Sequence, residues 1–113
     1  MHELAIAQEL SYIVLRTADK EKLSAVSGVN VIFGRMIQVV PEIFEFAFRE
    51  SVRDTIARDA KLQIDIIPVR VKCSECGGET DVDEMFIKCN YCHSRNVVLI
   101  QGKEIYIKSI EGE

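Results

Sequence analysis

The sequence predicts an α+β fold in which two helices pack on a small three-stranded mixed sheet, with a four-cysteine ribbon inserted before the last strand. Two observations predict this fold. Segments with apolar residues at helical spacing alternate with segments rich in β-branched residues. In the second half of the chain, two Cys-x-x-Cys pairs are separated by twelve residues. We expect residues 1–71 and 96–113 to form the helix-and-sheet domain and residues 72–95 to form the ribbon domain.

The first predicted helix covers residues 2 to about 19. Ile6, Leu10 and Ile13 share one helix face with Ala7 and Val14 at helical spacing, so we expect this face to enter the core. Residues 29–34 are predicted as a strand because apolar side chains recur there at every second position.

The second predicted helix begins at Pro41, because proline suits the first helical position, and runs to about residue 60. Its expected core residues are Phe44, Ala47, Phe48, Val52 and Ile56, with Ile43 and Phe46 beside them. Residues 62–71 are predicted as one strand, in which Pro68 marks an edge or a bend.

The remaining segments are short. The acidic stretch from Glu79 to Glu84 is expected to be a solvated loop of the ribbon. Residues 95–100 are expected to leave the ribbon as an extended run, and residues 101–103 to turn. A last strand is predicted over residues 104–110, where isoleucines recur.

The four cysteines of the chain form the pairs Cys73/Cys76 and Cys89/Cys92. Thiolates at this spacing bind one Zn(II) ion tetrahedrally, each pair curling onto the metal, so the sequence predicts a zinc ribbon. A site with four thiolates has no open coordination position and is structural. Because the ribbon is too small to bury much core, metal binding is expected to supply on the order of 10 kcal/mol of its folding free energy.

Two other interpretations of the cysteine pairs are a redox motif and a disulfide framework. A thioredoxin-type motif needs one Cys-x-x-Cys pair at a junction between a strand and a helix, not two pairs on facing turns. A disulfide framework needs a secreted context, and the first residues lack the basic region and long apolar core of a signal peptide. No apolar run approaches the roughly 20 residues that span a membrane. We therefore expect a reducing, cytoplasmic location and no membrane partner.

Composition and charge exclude further function classes. The formal net charge of −4 disfavours nucleic acid, because phosphate binding needs a basic face. The two histidines of the chain are His2 and His93, and no nucleophile with a base, phosphate-binding glycine loop or recognisable carboxylate pair is present. The sequence therefore does not predict an enzyme.

The histidine that follows the first methionine offers a set of metal ligands. The imidazole and backbone nitrogens of His2 can close a six-membered chelate ring, and the backbone nitrogen of Glu3 and the amine of Met1 are close in sequence. An all-nitrogen, tetragonal set with deprotonated amides suits Ni(II) or Cu(II) better than Zn(II) or Mg(II). The alternative is that His2 is the second residue of a flexible terminus.

His93 directly follows Cys92 and also has more than one interpretation. It is either a polar residue of a ribbon turn, or a residue that modulates the zinc site or binds a second metal. It cannot join a four-thiolate site without displacing a cysteine.

Four segments occur in an order that resembles a known family. They are the start Met-His-Glu-Leu, the segment from Phe33-Gly34 to Phe48, the two Cys-x-x-Cys pairs, and the closing run from Gly102 to Glu111. Together they resemble HypA, the nickel metallochaperone family of [NiFe]-hydrogenase maturation, over essentially the whole chain.

The resemblance implies a nickel-binding domain and a four-cysteine zinc domain. It places Ni(II), as a transient cargo, on His2 and Glu3. It places a structural Zn(II) on the cysteines, which are Cys73, Cys76, Cys89 and Cys92. It implies a HypB-type GTPase and the hydrogenase large subunit as partners, with support of urease in some bacteria. We expect a monomer, or a homodimer that exchanges an element between chains.

Two positions depart from the family pattern. Relatives often carry an acidic residue just before the second helix, where this chain has Val40, so an oxygen ligand for nickel is expected from Glu42, Gln38 or water. The second cysteine pair is often followed by glycine in the family, and here it is followed by His93. Both departures leave the remaining nickel ligands open.

The alternative function is a zinc-ribbon module that binds nucleic acid or protein. The basic residues of the ribbon are Lys72, Lys88 and Arg95. They are outnumbered by its acidic residues, which are Glu75, Glu79, Asp81, Asp83 and Glu84. Steeply salt-dependent binding of DNA or RNA would favour this alternative.

Overall fold

The computed structural model describes residues 2–83 and 86–113. Within these residues the elements, in chain order, are α1 (Glu3–Lys20), β1 (Val26–Gly34), a short 3₁₀ turn (Arg35–Ile37), α2 (Pro41–Val52), β2 (Lys61–Ile67), β3 (Val69–Cys73), β4 (Glu79–Val82), β5 (Val97–Gln101) and β6 (Ile105–Gly112). None of the described helices is both long enough and apolar enough to cross a bilayer.

The chain divides into two compact units. The first unit contains Met1–Ile32, Val39–Asp65 and Tyr106–Glu113, and the second contains Phe33–Gln38 and Ile66–Ile105. The predicted α+β class, with two helices, small sheets and a clustered set of four cysteines, is confirmed. The assignment of residues 1–71 with 96–113, and of residues 72–95, to two independent domains stays a prediction.

The first sheet has the strand order β2-β1-β6, so β1 is central. Strands β1 and β6 are antiparallel, because Ala25 exchanges backbone hydrogen bonds with Glu113 at one end while Gly34 donates to Glu104 at the other. Strands β1 and β2 are joined through α2, which is the crossover that a parallel pair requires. The sheet is therefore mixed, as the sequence predicts.

Helix α2 begins at Pro41, as predicted, and Phe44 and Phe48 are fully buried on its inner face with ring centroids 6.2 Å apart. The helix ends at Val52, so its predicted extension to residue 60 is wrong. The Thr55 hydroxyl donates a hydrogen bond to the Val52 carbonyl at 2.7 Å, and the chain continues in tight turns. Ile56, expected in the core, lies in these turns and is 41% exposed.

The predicted strand over residues 62–71 is two strands, divided at Pro68. Proline has no N–H to donate to a ladder, so β2 ends before it and β3 begins after it in a different sheet. Part of the acidic stretch predicted as a loop is β4, and Glu84 lies outside the described residues.

The second sheet has the order β4-β3-β5, and both pairs are antiparallel. Val69 and Val71 of the central strand are almost completely buried. The turn after β5 is fixed by a close approach of two glycines, since a side chain on Gly34 would overlap the backbone of Gly102. Met36 donates a backbone hydrogen bond to the Gly102 carbonyl at 2.8 Å, which holds this turn in place.

Candidate metal centre

The four cysteines come together at one point of the second unit. Their sulfur atoms all lie within 4.8 Å of one another, and they are the one group of three or more potential metal ligands found among residues 2–83 and 86–113. The Sγ atoms of Cys73 and Cys92 are 3.5 Å apart, as are those of Cys76 and Cys89. A tetrahedral Zn(II) ion with Zn–S distances of about 2.3 Å needs sulfur atoms roughly 3.8 Å apart, so the cluster fits this ion.

Two similar turns position the sulfur atoms. In the first turn the Cys73 sulfur accepts hydrogen bonds from the N–H groups of Glu75 and Cys76, both at 3.4 Å. In the second turn the Cys89 sulfur accepts one from the Tyr91 N–H at 3.3 Å. The first cysteine of each pair is buried and the second is exposed. Backbone donors aimed at a sulfur atom favour its thiolate form, which is the form that binds metal.

The pKa values of the two buried thiols follow these contacts. The Cys76 N–H bond is the largest influence that lowers the pKa of Cys73, ahead of the bond from Glu75. The Cys92 N–H bond, with a further bond from Tyr91, lowers the pKa of Cys89 to about 6. The backbone bonds therefore favour the thiolate form of the two buried sulfur atoms.

The residue after each pair has left-handed backbone geometry. Gly77 has φ +77° and His93 has φ +62°. Each donates its N–H to the carbonyl of the first cysteine of its pair, at 3.0 Å. The two turns thus have the same conformation, but the second places an exposed histidine where the first has glycine. Left-handed geometry is unfavourable for a residue that has a side chain, whereas glycine adopts it without this cost in free energy.

His2 is the N-cap residue of α1, makes no side-chain capping hydrogen bond, and is exposed. Its carbonyl accepts the first helical hydrogen bond, from the N–H of Ile6 at 3.0 Å. The N–H groups at the start of a helix have no partner within the helix, so the backbone nitrogens of His2 and Glu3 are not used by the helix ladder. The amine of Met1, the third nitrogen group considered from the sequence, lies outside the described residues.

Glu3 is 7% exposed, although it is charged and stands in the first turn of α1. Its Oε2 atom accepts a hydrogen bond from the N–H of Val40 at 3.0 Å. This bond is the largest influence that holds the pKa of Glu3 below its usual value, so the side chain is a carboxylate at neutral pH. Because Val40 is the N-cap residue of α2, the bond joins the starts of the two helices.

The sequence did not predict this bond. The sequence shows that the acidic side chain common in the family is replaced at position 40 by valine. It does not show that the backbone N–H of Val40 contacts Glu3. Glu42, one of the oxygen donors expected for nickel, is exposed in the first turn of α2. Within the described part of the chain, His2, Glu3 and Glu42 do not form a ready-made cluster of metal ligands.

A four-thiolate cluster in one unit, and a two-helix unit with a buried carboxylate at its start, define a small metal-handling protein. A family model described as "Hydrogenase/urease nickel incorporation, metallochaperone, hypA" matches residues 1–112. The chain belongs to the HypA family, nickel metallochaperones that serve hydrogenase maturation.

Individual relatives agree with the family match. The chain is 37% identical to hydrogenase maturation factor HypA of Moorella thermoacetica over 113 residues, covering all of both chains. It is 33% identical to the HypA factor of Aquifex aeolicus, covering 100% of this chain and 98% of the relative. The solution structure of the Ni metallochaperone HypA from Helicobacter pylori matches with a TM-score of 0.72 and 26% identity, covering 99% of this chain and 97% of that one. These relatives favour nickel handling over a nucleic-acid-binding ribbon.

Proposed function

We propose that this chain binds Ni(II) through His2 and Glu3, and that Cys73, Cys76, Cys89 and Cys92 hold a structural Zn(II). The single observation that carries the nickel proposal is the contrast between two neighbours. Glu3 is buried and fixed to the second helix, whereas His2 beside it is exposed. A fixed carboxylate next to an accessible histidine provides a site that is positioned by the fold and open to exchange.

The start of α1 suits this cargo chemically. Deprotonated backbone amides carry negative charge, and the positive end of a helix dipole stabilises negative charge. The imidazole of His2 and two amide nitrogens make a nitrogen-rich set, which favours Ni(II) over harder cations. The Val40 N–H bonds the Oε2 atom of Glu3, and the other carboxylate oxygen, Oε1, is the proposed nickel ligand. His2 and Glu3 both bind the metal, and the Val40 bond lets Glu3 position the site as well.

The zinc site has a different task. The fit of the sulfur cluster to a tetrahedral ion supports Zn(II), which is bound by four thiolates in structural sites. A closed site of this kind supplies folding free energy and no reaction. The chain therefore acts as a carrier and not as an enzyme.

Release to a recipient completes the function. The carrier passes Ni(II) to the hydrogenase large subunit in cooperation with a HypB-type GTPase, and to urease maturation in organisms that have that enzyme. The reducing cytoplasm is the compartment that keeps the four thiols available to zinc. Direct ligand exchange at an exposed histidine serves such a transfer, because an incoming ligand reaches the metal without unfolding the site.

The test compares the two histidines of the chain. Zinc-loaded, untagged wild type, His2→Ala and His93→Ala are titrated with Ni(II) by calorimetry, and zinc content is measured in parallel. We expect one tight nickel site in wild type and in His93→Ala, and its loss in His2→Ala with unchanged zinc. Undiminished nickel affinity in His2→Ala would contradict the assignment of the nickel site.

A second experiment tests whether the terminal nitrogens take part. Extending the chain by a few residues before Met1 places His2 inside a longer peptide while its imidazole and the Glu3–Val40 bond stay available. Weaker nickel binding in the extended protein is expected if the amine contributes. Equal affinity would restrict the site to the imidazole, the amides and the carboxylate.

A further inference from the structure

Strand β5 has one unused edge. It is the outer strand in the order β4-β3-β5 and pairs with β3 alone among residues 2–83 and 86–113. Its other edge presents backbone N–H and C=O groups that no described strand uses. Open edges of this kind are sites for strand addition, and proteins usually protect them with charges, proline or bulges.

The sequence of β5 contains no charged residue and no proline. It reads Val-Val-Leu-Ile-Gln over Val97–Gln101, with four aliphatic residues in succession. Val98 and Ile100 point to the same side and are 58% and 43% exposed. The register of the β3–β5 pair shifts between Arg70 and Val71, where β5 contributes Ile100 as an extra residue. The edge is therefore apolar, rich in strand-forming residues and open.

Grooves border the strand. A groove of about 510 Å³ is lined by Val98 and Ile100 together with Lys72 and the first cysteine turn. A second groove of about 250 Å³ is lined by Leu99, Ile100 and Gln101 with Lys103 and Glu104. An added strand would place alternate side chains in these grooves, as strand-addition complexes do.

Positive charges flank the edge on both ends. Arg95 stands two residues before β5 and Lys103 two residues after it, and both are exposed. Lys72 lines the larger groove and is exposed as well. In the described part of the chain none of the three has a carboxylate partner within ion-pair distance.

These charges disfavour a second copy of the chain as the occupant. Arg95 and Lys103 lie four residues on either side of Leu99. Two copies paired antiparallel and centred on Leu99 would therefore bring Arg95 of each copy towards Lys103 of the other, just beyond the ends of β5. Like charges brought close together destabilise a strand pair, and this pairing has two such approaches. The same arrangement attracts a strand with acidic residues at both ends.

We infer that β5 is a docking edge for an extended peptide segment of a partner protein, with alternating aliphatic side chains and acidic residues at both ends. Backbone hydrogen bonds to β5 supply affinity, and the grooves select the aliphatic side chains. Arg95 and Lys103 select the acidic ends and fix the register. This site is separate from His2 and Glu3 in the sequence, and its test contains no nickel.

The first experiment uses two end-blocked, fluorescent nonapeptides and the zinc-loaded full chain. Each has the core Val-Thr-Val-Thr-Val, flanked on both sides by two glutamates in one peptide and by two lysines in the other. We expect saturable binding of the acidic peptide by fluorescence polarisation, weakened by added salt because exposed charge pairs are screened. The basic peptide is expected to bind at least roughly tenfold more weakly.

Charge reversal of the protein provides the matched controls. Arg95→Glu with Lys103→Glu is expected to exchange the preference, so that the basic peptide binds and the acidic one does not. Lys20→Glu makes the same kind of charge change at the end of α1 and is expected to leave the preference unchanged. Circular dichroism and zinc content show that each variant is folded before it is compared.

Reversing the charge of Arg95 alone gives a second test, in which dimer formation is measured. Arg95→Glu converts both unfavourable contacts of the self-pairing into Glu–Lys contacts, so this variant is expected to form dimers as its concentration rises. The double variant again places like charges opposite each other and is expected to lose these added dimers. Sedimentation measures all of these states.

Four results of the binding experiments would overturn the inference. They are no saturable binding of the acidic peptide, equal binding of both peptides, the same peptide preference in wild type and the double reversal, and tighter binding of a single-stranded oligonucleotide than of the acidic peptide. The last result would assign the basic residues to nucleic acid. A wild-type dimer abolished by Val98→Lys would make a second copy the occupant, and so would also overturn it.

Discussion

The Oε2 atom of Glu3 accepts a hydrogen bond from the backbone N–H of Val40 at 3.0 Å. The two residues are the first residue of α1 and the N-cap residue of α2. The bond satisfies an N–H group that precedes the second helix. A residue proposed to serve nickel therefore also joins the two helices, and substitutions can separate these two roles.

Replacing Glu3 by alanine should lower the stability of the nickel-free protein. The change removes a charged acceptor and leaves the Val40 N–H without this partner, which costs about 1–2 kcal/mol. Glu3→Gln keeps an oxygen acceptor and should cost less than alanine. Urea unfolding of the zinc-loaded, nickel-free proteins measures both differences. Equal stability of Glu3→Ala and wild type would show that the bond does not hold the helices together.

Replacing His93 by glycine should strengthen zinc retention. At φ +62° a glycine avoids the strain that a side chain adds, with a net gain of up to about 1 kcal/mol. Competition with a chromophoric chelator measures the change in zinc affinity. His93→Ala is the control, because it removes the imidazole and keeps the strained backbone. If alanine strengthens retention as much as glycine, the imidazole and not the backbone is responsible.

Gly77→Ala tests the same backbone conformation in the first cysteine turn, by adding a side chain where His93→Gly removes one. A side-chain carbon at Gly77 would meet nothing within 4 Å, so its effect comes from the backbone alone. At φ +77° alanine should cost about 1 kcal/mol and weaken zinc retention in the same chelator competition. Unchanged zinc affinity would mean that the turn relaxes to another conformation without cost.

Gly34→Ala should be far more destabilising than Gly77→Ala. A methyl group at position 34 would overlap the backbone of Gly102 and Lys103, which cannot move aside as a side-chain tip does. The expected cost is about 3 kcal/mol or more, because overlap in a packed region forces backbone shifts. Thermal unfolding of the zinc-loaded variants compares the two substitutions. Similar losses for both would contradict the close packing of this turn.

Glu104 should contribute stability that depends on pH. Its Oε1 accepts a hydrogen bond from the Gly102 N–H at 2.6 Å, and this bond is the main reason that its pKa is lowered from 4.5. A lowered pKa in the folded state means a contribution that is complete above the unfolded value and lost as pH falls through the folded value. The stability difference between wild type and Glu104→Gln should therefore shrink below about pH 4.5. Urea unfolding across this range, with zinc in excess, measures it, and a constant difference would contradict it.

Several elements could be predicted because their signals are local. Apolar residues at helical spacing and a first-position proline predicted the two helices, and α2 begins at the predicted residue. The predicted end of α2 was wrong because periodic apolar residues continue to Ile56, while the hydroxyl of Thr55 hydrogen-bonds the last helical carbonyl. A competing side-chain hydrogen bond of this kind does not change the hydrophobic pattern.

Phe46 shows a second limit of the pattern. It stands beside the core residues of α2 in the sequence, yet it is 69% exposed, while Phe44 two residues earlier is fully buried. Periodicity identifies an apolar stripe on a helix but does not fix its width, because the neighbouring elements cover only part of the helix surface. Only the packed structure decides which of these aromatic side chains enters the core.

The sequence by itself determined the four-cysteine cluster, because two Cys-x-x-Cys pairs bring four sulfur atoms together through the geometry of their own turns. It also determined the family, through short segments spread over the whole chain. The tertiary structure alone decided that Glu3 is buried against Val40, and that β5 has an open edge between Arg95 and Lys103. Both depend on segments distant in the chain, since a hydrogen bond between residues 37 positions apart and the order of strands in a sheet follow from how the chain folds back on itself.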